Sequence, residues 1–321
     1  MSSTLTYSFG GLRLHSAVRV DQLRPCPADA EAWADITLSF ETGEPPVHDR
    51  ISYRWRGRYG LVVGTCGDEW LMTSSLDGAF LISRERRTLR CIAPSAASFD
   101  ACVDVLIRRV LPRVATLFGA SAIHAAALAR PEGGVLLLGM SGAGKSTMTA
   151  SLGHAGWEIL SDDISLLWGL EEPQLAPAAQ GVCVWPASRE GINLPIERCR
   201  PMPAYDGKTH FMPDGDPTTT PVPLRALVFL NREGSAAPVL ERMRDAEALV
   251  TASHMLVQLD PGDPALPDWV QGFARLNAAM KVAPSYRLHY PNDFAALAEV
   301  EMLLRGALDP QAKNRGDGRL A

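Results

Sequence analysis

The stretch that most constrains the fold is "GVLLLGMSGAGKSTMTASLG", residues 134–153. An apolar run suited to a buried strand ends at Gly139, a glycine-rich loop follows, and Lys145 opens a helical segment. Residues 139–146 fit G-x-x-x-x-G-K-[ST] in the strand–loop–helix setting that this motif requires. Glycines admit backbone conformations that a Cβ forbids, so successive N–H groups can turn inward onto a phosphate. The helix N-terminus adds its dipole, Lys145 can reach the β and γ phosphates, and the Ser146 hydroxyl can ligate Mg²⁺. Gly139, Ser141, Gly142, Ala143, Gly144, Lys145, Ser146 and Thr147 are therefore predicted to bind a nucleoside triphosphate. The chain holds only four lysines, at 145, 208, 281 and 313, and otherwise uses arginine for positive charge. Arginine-rich usage explains that scarcity but not why one of the four stands at position 145.

A second constraint follows closely. In "WEILSDD", Asp162 lies only 17 positions after Lys145, which leaves room for one helix between the loop and the next strand. A right-handed β-α-β unit would bring the end of that strand beside the loop in a parallel sheet. Adjacent acids on an extended backbone point in opposite directions, so one can hold a metal with Ser146 while the other accepts a proton from an attacking hydroxyl. Downstream, "YDGKTHF" carries Lys208, a cation that a loop could bring over the phosphates. Arg225 and His210 are candidates of the same kind.

"AIHAAAL", "GMSGAGKST" and "ILSDDISLL", in this order and spacing, resemble the three successive motifs of the HPr kinase/phosphorylase family, whose nucleotide-binding core is shared with phosphoenolpyruvate carboxykinase. The resemblance implies an α/β P-loop core, ATP and Mg²⁺ as cofactors, and His124 beside the active site. It further implies that Asp162 is the base and Asp163 a metal ligand with Ser146, the two aspartate roles being interchangeable, and that Lys145 binds phosphate. The glycine-containing signature that serves the family's reverse reaction has no counterpart between Leu170 and Pro223, so neither phosphorylase activity nor HPr as substrate is expected. The layout is similar instead to HPr-kinase-related proteins encoded with ribosomal peptide clusters, among them the lasso peptide kinases. That likeness implies a peptide acceptor, the C-terminal serine of a lasso precursor; Asp162, His124 and Lys145 from the motifs and Lys208 from its loop are the expected catalytic residues. The alternatives are an ATP-binding regulatory module that transfers nothing, and a kinase acting on a small-molecule hydroxyl.

Around this core, residues 1–97 read as a small β-rich domain. "LRLHSAVRV", "ADITLSF", "ISYRWRG", "YGLVVGT", "EWLMT", "GAFLIS" and "TLRCIA" are alternating or β-branched runs between turn signals. A helix is predicted over 98–118 with Ser98 as N-cap, bent or split at Pro112. Residues 98–308 form the expected nucleotide-binding domain, 195–223 its long loops, "RALVFLNR" a strand, "DAEALVTASHMLVQL" and "DFAALAEVEMLLRG" helices, and 309–321 a flexible tail. A net charge of -5 without a basic face gives no support to nucleic-acid binding. "RERRTLR" reads as solvated surface. Six cysteines without CxxC or His/Cys spacing indicate neither zinc nor a disulfide framework and suit a reducing cytoplasm. No apolar run approaches the roughly 18 residues of a membrane span, and no signal-like segment opens the chain, so a cytoplasmic protein is expected. Relatives of this fold form oligomers, and a homo-oligomer is compatible with the sequence.

Overall fold

The computed structural model describes residues 4–56, 60–75, 78–178, 181–202, 205, 207–214, 218–232 and 237–308, with the backbone of 319 and 320. It is a mixed α/β structure built on a nine-stranded sheet, an eleven-stranded sheet and a small three-stranded one.

All seven predicted N-terminal strands form, and Leu5–Phe9 and Arg24–Pro25 add two that the sequence reading missed. Alternation sets the buried face: along Leu12–Ser16 every second side chain is buried, with Leu12 and Leu14 in the core. Ala34–Thr42 runs parallel to both Leu12–Ser16 and Thr88–Ala93, joining the two ends of the sheet.

Over 98–118 the helix is interrupted. Phe99–Val105 and Leu111–Leu117 are α-helical, and Leu106–Val110 between them is a π-turn. Pro112 has no N–H to offer the Arg108 carbonyl, so the ladder slips by one residue and the Leu111 N–H reaches back to Leu106 O. Ser98 makes no side-chain capping bond. Val103, Leu106, Val110 and Val114 share one hydrophobic cluster with Phe9, Leu14, Ile36 and Phe80 of the nine-stranded sheet and with Leu166 and Trp168 of the larger one. Trp168 stacks on Trp33 at 4.2 Å between ring centroids and donates from Nε1 to Gly10 O. The core thus crosses the division expected at residue 97, because the helix placed in the second domain covers the sheet of the first.

The larger sheet sets up the site. The apolar run "AIHAAALAR" lies in two strands: Ser121–Ile123 and Ala125–Arg130 pair in different parts of the sheet, and His124 sits at the break. Ala125–Arg130 lies between Gly133–Leu138 and Glu158–Ser161 and is antiparallel to both. The loop strand and the acidic strand are therefore not neighbours, contrary to the simple β-α-β expectation, because the hairpin partner of the loop strand intervenes. The consequence favours the site. Ala125 is paired with Leu138 and Ala127 with Ser161, so the start of the middle strand meets the ends of the other two. His124, the glycine loop and the aspartates converge at one end of the sheet.

Val222–Asn231 forms as expected and runs parallel to Gly133–Leu138 and Ser285–His289. The 195–223 region is not simply loops: Cys199–Pro201 and Thr209–Phe211 pair with each other, and Thr209–Phe211 also with Val182–Val184. Strands of three residues are too short to show a periodicity. "DAEALVTASHMLVQL" is helical only over Asp245–Ser253 and then enters the strand Leu256–Val257, while Leu297–Ala307 is the second predicted helix. Asp268–Val282 was not foreseen; its buried stripe includes Gly272 and Ala279, and Trp269 and Val270 are exposed, which blurs the apolar pattern. Most of the tail read over 309–321 lies outside the described residues, but Arg319–Leu320 pair with Leu240 and Glu241. Among the described residues no helix is long and apolar enough to cross a membrane.

Candidate active site

Gly142 and Gly144 have φ of 85° and 90°, conformations that side chains rarely adopt, and a Cβ on Gly144 would lie 2.5 Å from the Tyr290 hydroxyl. Gly144 is the N-cap of Lys145–His154. The Lys145 ammonium lies back across the loop, donating to Gly139 O at 2.6 Å, with His124 Nε2 at 3.3 Å. Burial lowers the Lys145 pKa, and Asp163 and Asp162 partly offset that. Thr147 Oγ1 shares a hydrogen bond with Ser188 Oγ at 2.7 Å, tying the helix Lys145–His154 to Pro186–Gly191.

The two aspartates occupy different environments. Asp162 is buried: its Oδ1 accepts from Ser146 Oγ at 3.2 Å, its Oδ2 accepts from the Cys183 N–H at 2.9 Å, and Arg108 Nη1 lies 3.8 Å from Oδ2. Burial pushes its pKa up, and Arg108 opposes the shift. Asp163 has left the strand. Its φ is 71°, and the Ile164 N–H donates to Asp162 O across it, the hydrogen bond of a γ-turn with positive φ at its centre. Its side chain is 55% exposed, with Oδ1 3.3 Å from His124 Nδ1.

A lysine ammonium can only donate, so His124 Nε2 accepts and Nδ1 carries the proton toward Asp163. Burial holds His124 below its ordinary 6.5, with Asp163 opposing and Lys145 adding to the depression. The unfolded chain then takes up the proton first as pH falls through that value, so this contribution to stability is present above it and lost below it. The melting temperature is expected to drop as pH falls through the ordinary histidine value of 6.5, and to drop less in His124→Asn, as thermal melts of both proteins would show.

Lys208 comes to the same place. Its ammonium lies over the Trp185 ring, 4.9 Å from the centroid, and its charge acts on Asp162 and Cys183. His210 is buried, paired in register with Cys183, and its Nδ1 accepts from Arg200 Nε at 3.3 Å. It supports the small sheet beside the site. Arg225 is elsewhere: exposed at the start of Val222–Asn231, it donates to Glu132 O in the turn at the opposite end of the loop strand. The sequence reading missed Arg108, the Cys183 N–H and Arg113. Arg113 is buried with its pKa down to about 9, chiefly through burial, and its guanidinium lies 4.7 Å from the Trp55 ring centroid. The available signal was Pro112 inside an apolar helix that also carries arginines.

Among the described residues no group of three or more His, Cys, Asp or Glu side chains could hold a metal by itself. Ser146 and Asp162 instead offer two hard oxygens 3.2 Å apart. That donor set suits a magnesium ion that draws its other ligands from phosphate and water.

No protein-family model and no curated protein matches the chain. Among solved structures it is similar to the Hpr(Ser) kinase/phosphatase from Coxiella burnetii, at 15% identity over 58% of this chain and 94% of that one, with a TM-score of 0.27. A likeness this distant assigns no role to any residue.

Proposed function

We propose that the protein is an ATP- and Mg²⁺-dependent kinase that phosphorylates a serine hydroxyl on a peptide, with the C-terminal serine of a lasso precursor as the acceptor. The carrying observation is the split of the acidic pair. Asp162 is tied to Ser146 and buried, and Asp163 is exposed and paired with His124. This geometry supports the second of the two allocations that the sequence left open: Asp162 on the metal side with Ser146, and Asp163 as the base.

In this reading the loop N–H groups and Lys145, released from Gly139 O, hold the phosphates. Magnesium held by Ser146 and Asp162 would neutralise charge on the β and γ phosphates. Asp163 takes the proton of the serine hydroxyl as its oxygen bonds to the γ-phosphorus, and the bond to the β–γ bridging oxygen breaks, leaving its electron pair on ADP. His124 Nδ1–H orients the Asp163 carboxylate, and Lys208, whose charge acts on Asp162, steadies the transferring group. Trp185, 49% exposed beside Lys208, offers an apolar face to the acceptor. An aromatic on an open surface suits a peptide better than a small molecule, which needs an enclosing pocket.

The test is incubation with [γ-³²P]ATP, Mg²⁺ and precursor peptides ending in serine or alanine. Label is expected only on the serine peptides. Nucleotide binding without label on any peptide would overturn the kinase and leave the regulatory module, and label on small hydroxyl compounds alone would move the acceptor to that class.

A further inference from the structure

The helix that covers the N-terminal sheet also reaches the acidic pair. Arg108 stands in the π-turn, its side chain 7% exposed, and its guanidinium lies 3.8 Å from the inner oxygen of Asp162. Asp104, one turn earlier and equally buried, acts on the same guanidinium and lies 3.9 Å from Arg200 Nη2. Arg200 belongs to Cys199–Pro201, in the small sheet whose Val182–Val184 strand supplies the Cys183 N–H to Asp162. The slip of the helix ladder at Pro112 changes which side chains face inward, since each added residue turns a helix by about 100°. A guanidinium buried beside a carboxylate is costly to desolvate and is replaceable by apolar packing where stability alone is at stake.

We propose that Arg108 is a positioning residue for the metal side of the site: it holds Asp162 Oδ2 so that Oδ1 faces Ser146 and the magnesium position. The inference rests on the metal-side role given to Asp162 above. It makes the N-terminal sheet part of the catalytic apparatus, because that sheet seats the helix that carries Arg108.

The test uses the full chain and a non-hydrolysable ATP analogue, with Kd measured by calorimetry in EDTA and in Mg²⁺. The ratio of the two values isolates the metal's contribution. Outer residues that orient a metal ligand typically contribute about 10- to 100-fold in metal affinity, so Arg108→Met is expected to lose about tenfold of the magnesium-dependent tightening while its Kd in EDTA stays within about twofold of wild type. Arg108→Lys should recover part of the loss, since an ammonium keeps the charge without the planar fork. A wild-type magnesium ratio in Arg108→Met would overturn the proposal, and so would an equal loss of affinity in EDTA and in Mg²⁺, which marks a residue that only supports the fold. If the methionine variant does not fold, Arg108→Lys decides: a reduced ratio supports the proposal and an unchanged one overturns it. A wild-type protein whose analogue binding gains nothing from Mg²⁺ would overturn the metal-side role of Asp162 and this inference with it. Label transfer to serine peptides is a separate readout, so the kinase reading can fail while the Arg108 result stands.

Discussion

Asp162→Asn is expected to lose stability and turnover together. The substitution keeps the shape of the side chain but removes the charge that faces Arg108, which is buried, and it replaces one of two oxygens that both accept hydrogen bonds. With its oxygen turned to the Cys183 N–H the amide can donate from its NH₂ to Ser146 Oγ, so both hydrogen bonds can survive and the loss is the charge beside Arg108. Breaking a buried pair by removing one partner costs on the order of 3 kcal/mol, which lowers the melting temperature of a chain this size by roughly 4–5 °C. Burial alone raises the Asp162 pKa, so relief of that burden works in the opposite direction. The uncompensated Arg108 charge outweighs it, because the guanidinium keeps its proton. Loss of the hard oxygen beside Ser146 should lower kcat by about 10²- to 10³-fold. Thermal melts and serine-dependent label transfer measured on the same preparation check both halves. A variant as stable as wild type would show that Asp162 is not held by the pair described.

What was legible in the sequence is what depends on neighbours in the chain. The glycine loop, Lys145 and Ser146 could be placed because strand, loop and helix follow one another within twenty residues and each position has a local physical reason. His124 and the acidic pair were legible as a set, on the resemblance. Which of the two stays inside was not, since alternation along an extended strand says only that two acids diverge, whereas the γ-turn at Asp163 turns that residue out and leaves Asp162 buried. Partners that arrive from a distance were invisible. Arg108 comes from a helix that otherwise looks like packing, and the Cys183 N–H from a three-residue strand with no periodicity of its own. The pairing of the acidic strand with Ala125–Arg130 was likewise a matter of strand order, which the loop-to-acid spacing does not constrain.

Asp163→Gly is expected to do the reverse for stability while also abolishing turnover. Asp163 holds a φ of 71° at the centre of a γ-turn, a conformation that costs a residue with a Cβ roughly 1–3 kcal/mol and glycine much less. Little is lost in exchange: the side chain is more than half exposed, and its partner His124 is held largely neutral by burial. Glycine also loosens the unfolded chain, so the net gain should be about 0.5–1 kcal/mol. With Asp163 as the proposed base, loss of the carboxylate should lower label transfer by about 10²- to 10⁴-fold while nucleotide affinity holds. Asp163→Asn separates the two effects, because asparagine keeps a side chain at the strained position and removes only the charge. It should lose turnover as glycine does and gain no stability. If both variants melt with wild type, the turn is not strained; if either transfers phosphate at a wild-type rate, the base is another group. Opposite signs in stability for Asp162→Asn and Asp163→Gly, with the same sign in turnover, are what a site requires when one carboxylate is built into the fold and its neighbour is held against the backbone's preference for chemistry.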